Sequence, residues 1–315
     1  YAFQFPSIDE AMIDAVRAPS PTTAEHAARQ SAMFSPQASD APNVRPPARI
    51  RLVAIDVDGT LLTSDGTISR GVIHACRAAH RAGVTIIPAT SRPPRGMTNI
   101  MQMLDLSGPV ITYNGALIWD PKTREPLYEE TIEPTLAREL IDAVRQARDD
   151  VLVAVEQGDA WYTDRLPNDT DGHGLLLTAP SVVQSMTEIL ERPVTKLNIV
   201  GSASSIEAVR HALSEPFWMT RRIAMFHTDP RFLQIVSPLV DKGIALQRIA
   251  RTRHVDRTEI MAIGDASNDL GMIEWAGFGV AVSNASDAVR ELAHVTVPSN
   301  DEGGVARALQ RYVLA

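Results

Sequence analysis

A single cysteine in 315 residues, Cys76, excludes an internal disulfide, so the fold does not depend on an oxidising compartment. No apolar run approaches the roughly 18 residues that read as a membrane span. Basic residues are in deficit: 30 Lys and Arg against 38 Asp and Glu give a formal charge of −8. A broad nucleic-acid surface would be basic, so that class of partner is not expected. Any anion bound by this chain needs a local pocket of donors or a metal. The eight histidines are scattered, without zinc-type spacing, and internal repeats are absent.

What remains has the composition of an ordinary soluble globular protein, 44% hydrophobic and 22% charged, and is long enough for two domains. Residues 1–47 are rich in Pro, Ala and Ser and read as a flexible N-terminal extension, with a short amphipathic helix around "SIDEAMIDAVRA". The first residue is Tyr1 rather than Met, as expected of a processed or truncated start. Acidic residues in the extension fit poorly with a secretory or transit signal. The cytoplasm is therefore the expected location, with organellar import of a processed precursor as the alternative.

From Ile50 onward, continuous apolar strands alternate with helices, the pattern of a parallel sheet covered on both faces. "RLVAID" runs into an Asp-rich turn. "SRGVIHACRAAHRAG" then reads as a helix with Ser69 at its N-cap and Gly83 past its end. Cys76 shares the apolar stripe of that helix and reads as a core filler. "VTIIPAT", "EIMAIGD" and "FGVAV" continue the sheet. The middle differs: an amphipathic helix, a hairpin around Gln157-Gly158-Asp159, and further strands and a helix suggest an inserted α+β domain. The expected division is a core of residues 48–126 and 231–315 with an insertion at 127–230.

Four features fall where strands end or helices begin, the places where open parallel sheets form ligand crevices. They are Asp56-Val57-Asp58-Gly59-Thr60, Thr90-Ser91-Arg92-Pro93, Lys242, and Gly264-Asp265-Ala266-Ser267-Asn268-Asp269. Each alone has a plain explanation: a turn, a strand-end hydroxyl, a solvated lysine, a helix cap. Asp56 and Asp58 lie two apart, so a strand extended through both would aim both carboxylates at one spot. There they would repel unless a cation or a shared proton intervened.

The four features in this order resemble the haloacid dehalogenase superfamily, and within it the Cof-like class IIB phosphatases, whose pattern is DxDGT, Thr or Ser, Lys, GDxxND. "ITYNGAL" at 111–117 and "GVAVSNA" at 279–285 are similar to further signatures of that family. The resemblance covers the chain from about Ile50 and implies a Rossmann-like α/β core with an inserted α+β cap that governs specificity. It implies a Mg²⁺-dependent phosphatase acting on small phosphorylated metabolites such as sugar phosphates. By the family pattern Asp56 is the nucleophile and Asp58 the general acid and base. Mg²⁺ is held by Asp56, the Asp58 carbonyl and Asp265, with Asp269 orienting its neighbours. Thr90, Ser91, Lys242 and Asn268 are the expected phosphate binders. Arg92, Asn114, Arg165 and His173 are candidates for reading the substrate, with Arg92 favoured as the partner of an acidic neighbour. One departure stands out: the family's usual "TGRP" is "TSRP" here, placing Ser91 where glycine is customary. The competing readings are a phosphomutase of the same superfamily, a phosphorylation-switched receiver-type module, and a binding protein that has lost catalysis.

Overall fold

The computed structural model describes residues 49–166 and 180–315. The chain enters at β1 (Leu52–Asp56), five buried residues, and passes into α1 (Arg70–Arg81). Ser69 caps α1 by accepting from the Val72 N–H, and Gly83 follows its end with φ +85°. Next come β2 (Thr85–Ala89), α2 (Thr98–Leu104), β3 (Val110–Thr112), β4 (Leu117–Asp120) and β5 (Glu125–Glu129). The middle contains α3 (Pro134–Ala147), β6 (Leu152–Gln157), β7 (Ala160–Thr163), β8 (Val182–Val183), α4 (Met186–Ile189) and β9 (Lys196–Val200). It closes with α5 (Ala203–Leu213), β10 (Ala224–Asp229) and β11 (Phe232–Val236). The last part runs α6 (Lys242–Thr252), β12 (Ile260–Gly264), α7 (Leu270–Trp275), β13 (Phe278–Val282), α8 (Asp287–Leu292), β14 (Val295–Val297) and α9 (Gly304–Tyr312).

Among the described residues the strands form two sheets. The first has the order β14-β13-β12-β1-β2-β3-β4-β5 and is parallel from β14 to β3. The expected parallel α/β core is thus present, with an antiparallel edge, β3-β4-β5, added to it. Alternation along β1 divides the packing between two layers. Val53 and Ile55 meet the apolar faces of α1, α2 and α9, whereas Leu52 and Ala54 meet α6 and α7. Cys76 lies in the first layer, where burial pushes its thiol up to about 12, the state of an inert core residue.

The second sheet, β10-β11-β9-β6-β7-β8, is antiparallel apart from β7-β8. One face, with Val153, Val155, Leu197, Ile199, Leu233 and Ile235, packs on α3 and α5. The expected boundary at 127 falls within β5, and that at 230 falls between β10 and β11. β5 pairs with β4 and so prolongs the first sheet to Glu129, while β11 pairs with β9 and β10 and keeps the chain in the second sheet to Val236. Main-chain pairing decides both ends, and neither is marked by a change in composition.

Candidate active site

β1 delivers Asp56 to the carboxyl end of the first sheet, on the face turned toward α6. The strand ends there. Val57–Leu61 form a tight turn, non-helical at Asp58 (φ −84°, ψ 114°) and at Gly59, which has φ +88°. That conformation suits glycine, and a Cβ at this position would stand 2.6 Å from Asp265 Oδ2. The turn separates the two aspartates that a longer strand would have aligned. Asp56 is buried, while the Asp58 side chain is 49% exposed and gripped by Arg92, Nε to Oδ2 at 2.9 Å and Nη2 to Oδ1 at 2.5 Å.

Lys242 is the central cation. It opens α6 directly after Asp241, whose carboxylate caps the helix by accepting from the Gly243 and Ile244 N–H groups. Its side chain is 0% exposed, and Nζ donates to Asp56 Oδ1 at 2.6 Å and Asp269 Oδ1 at 2.7 Å. Burial works against its charge, but the two carboxylates overcome that and hold the ammonium above its ordinary value. Asp56 is raised too, which for a carboxyl disfavours the charged form: burial first, then repulsion from Asp269, lift it well above the usual range despite Lys242. The solvated-surface explanation of Lys242 is excluded.

Asp265 and Asp269 arrive from the end of β12. Asp265 Oδ1 accepts from the Thr60 hydroxyl at 2.8 Å, and burial raises its carboxyl. Asp269 Oδ2 accepts from the Asp265 and Ala266 N–H groups, both at 3.0 Å, so both its oxygens have protein donors. Asp56, Asp265 and Asp269 bring carboxylate oxygens within 4.8 Å of one another. Asp56 Oδ2 is buried without a hydrogen-bond partner among the described residues. With all three ionised, three negative charges face the one positive charge of Lys242. The donor set is all oxygen and carries a deficit of two charges, which fits a hard divalent cation.

The neighbouring strand end supplies the rest. Ala89 pairs with Asp56, so Thr90 emerges beside it, fully buried. The Thr90 hydroxyl accepts from the Arg92 N–H at 3.1 Å. Ser91 stands at the glycine position without adopting a positive φ, so the substitution leaves no left-handed strain. Asn268 donates its amide to Asn114 Oδ1 at 2.9 Å, and Asn114, at φ +59°, donates its N–H to the Thr90 carbonyl. The first, second and fourth motifs are therefore tied into one crevice around Lys242.

The cap-side candidates fare differently. Arg165 donates to the Asp149 carbonyl at 2.9 Å and lies at the far end of β6, held by local acids. His173 lies outside the described residues. What meets the crevice is the other face of the second sheet. Glu156 takes both terminal nitrogens of Arg95, at 2.9 and 2.8 Å, and the Tyr113 hydroxyl at 2.9 Å. The Arg95 N–H donates to Asp159 at 2.7 Å, and Lys196 Nζ donates to the Ser91 carbonyl at 3.1 Å. None of these five residues is among the site candidates read from the sequence, although Tyr113 lies in the 111–117 signature and Asp159 in the expected hairpin turn. Glu156 and Lys196 lie at the ends of apolar strands, where a polar residue reads equally as solvent-facing.

The chain matches the haloacid dehalogenase-like hydrolase family over residues 53–309. It belongs to that family. A 5-amino-6-(5-phospho-D-ribitylamino)uracil phosphatase of Bacillus subtilis is 30% identical over 266 residues, spanning 83% of this chain and 97% of the relative. An HMP-PP phosphatase of Cronobacter sakazakii is 29% identical over 252 residues, covering 78% and 89% respectively. The solved structure of a haloacid dehalogenase-like hydrolase from Bacteroides thetaiotaomicron superposes with a TM-score of 0.75 at 28% identity, covering 84% of this chain and 99% of that one. The resemblance to the Cof-like phosphatases thus stands on the fold and on named relatives as well as on motifs. Among the described residues, no helix is long and apolar enough to cross a membrane.

Proposed function

We propose that this protein is a Mg²⁺-dependent phosphatase that hydrolyses monoesters of small phosphorylated metabolites through an aspartyl-phosphate. The observation that carries this reading is the buried Asp56, held by Lys242 amid two further carboxylates at the ends of adjacent parallel strands. Mg²⁺ would be held by Asp56, the Asp58 carbonyl and Asp265, where it offsets the excess negative charge and polarises a phosphoryl oxygen.

The chain's own residues supply the remaining chemistry. The Asp56 carboxylate attacks phosphorus as the ester oxygen departs, and Asp58 in its protonated form gives that oxygen its proton. Water then attacks the aspartyl-phosphate, Asp58 accepts its proton, and inorganic phosphate leaves. Arg92 holds the Asp58 carboxylate through Nε and Nη2 and so orients it for both steps. Lys242 and Thr90 hold phosphoryl oxygens, and Asn268, braced by Asn114, faces the same space. Asp269 keeps Lys242 and the 265–266 main chain in place. The related phosphatases act on phosphorylated metabolites, which supports a small-molecule substrate for this chain. Phosphate release across a panel of phosphorylated metabolites, with and without Mg²⁺, tests the proposal; exclusive isomerisation of a sugar phosphate would replace it with a mutase.

A further inference from the structure

The second sheet contributes a lysine that the mechanism above does not use. Lys196 is buried on the face turned to the crevice, paired across the sheet with Glu156 and one strand from Gln234. An ammonium has three donors. Here one goes to Gln234 Oε1 at 2.6 Å and one to the Ser91 carbonyl at 3.1 Å, and the ring of Tyr113 lies 5.2 Å away by its centroid. With its donors directed at protein groups, this cation is built to hold the protein rather than to meet a substrate.

Its target is informative. The Ser91 carbonyl and the Arg92 N–H belong to one peptide plane, and that N–H donates to the Thr90 hydroxyl at 3.1 Å. A cation on the carbonyl oxygen polarises the plane and strengthens the N–H as a donor. A hydroxyl that accepts in that direction directs its own hydrogen elsewhere. We propose that Lys196 is a positioning residue for the phosphate-binding loop: from the cap, it fixes the Ser91–Arg92 peptide so that the Thr90 hydroxyl is set as a donor to the substrate's phosphoryl oxygen. The inference rests on the phosphatase reading for the identity of the anion. Burying a lysine is costly, and burial, with Arg95 adding to it and Glu156 opposing, pulls this one down to about 7.

The test is a double-mutant cycle on the Mg²⁺-loaded protein. The variants are Lys196→Met, Thr90→Val and the pair, read as kcat/KM for p-nitrophenyl phosphate and as affinity for inorganic phosphate by calorimetry. A hydrogen bond to a charged group supports a loss of about tenfold or more for Lys196→Met in both readouts. In the Thr90→Val background the same substitution should cost less than about threefold, because the two act through one chain of contacts. Full multiplicative losses would overturn the proposal and leave Lys196 a docking residue of the cap. Should Lys196→Met fail to fold, Gln234→Leu keeps the lysine and removes its shortest anchor. It should then cost roughly threefold with Thr90 present and nothing measurable without it; equal losses in both backgrounds would overturn the proposal. Absence of turnover in the wild type would sink the phosphatase reading alone, since the phosphate-binding cycle still returns its answer.

Discussion

Two buried lysines, one on each side of the crevice, show opposite electrostatics. Lys242 at the head of α6 faces two carboxylates and is held above its ordinary value; Lys196 on β9 faces a carbonyl and an amide oxygen and falls to about 7. Burial pushes both in the same direction, so partner charge makes the difference. In the core, charge is concentrated and met by opposite charge, three carboxylates around one ammonium. Toward the second sheet it is diluted into neutral acceptors and the pairs of Arg95 with Glu156 and Asp159.

The comparison can be broken from the core side first. Asp56→Asn removes the nucleophile and one partner of Lys242, and phosphate release should fall by about 10⁴-fold or more. Lys242→Met leaves Asp56 and Asp269 buried without their cation. Unfolding in guanidinium should register a loss of about 3–5 kcal/mol, and activity should vanish. From the cap side, Glu156→Gln weakens the grip on Arg95, at a cost of about 1.5–3 kcal/mol in the same titration. A further effect is a pH dependence. Folded Lys196 gives up its proton at about 7, whereas the unfolded chain keeps it to an ordinary value of 10.5. Between those values the unfolded state binds more protons, so stability should rise with pH over that window. Lys196→Met should flatten that rise relative to wild type in thermal melts; an unchanged slope would contradict the assignment.

How much was legible in the sequence follows the same divide. Asp56, Thr90, Lys242 and Asp265 sit where apolar runs stop, and a polar residue at the end of a buried strand is conspicuous. Ser69, Gly83 and the Gly158-Asp159 turn were readable for a similar reason: local backbone chemistry determines them. Lys196, Glu156 and Arg95 were not. Glu156 and Lys196 are polar residues at the ends of the apolar strands β6 and β9, and only the position of the second sheet over the crevice buries them. Arg165 is engaged by its neighbour Asp164 and by Asp149, which the pairing of β6 and β7 brings near. Where β5 and β11 belong is decided by their pairing partners, which composition does not mark.

The central claim is that Asp56 carries the phosphoryl group. It is tested most directly by acid-quenching Asp58→Asn during turnover and mapping the modified peptide by mass. With p-nitrophenyl phosphate, whose leaving group departs without a proton from Asp58, only the second step should slow, by roughly a hundred- to ten-thousand-fold, so the phosphoenzyme should accumulate. The account predicts a phosphoryl group on Asp56. A phosphoryl group on another side chain, or undiminished hydrolysis by Asp56→Asn, would contradict it.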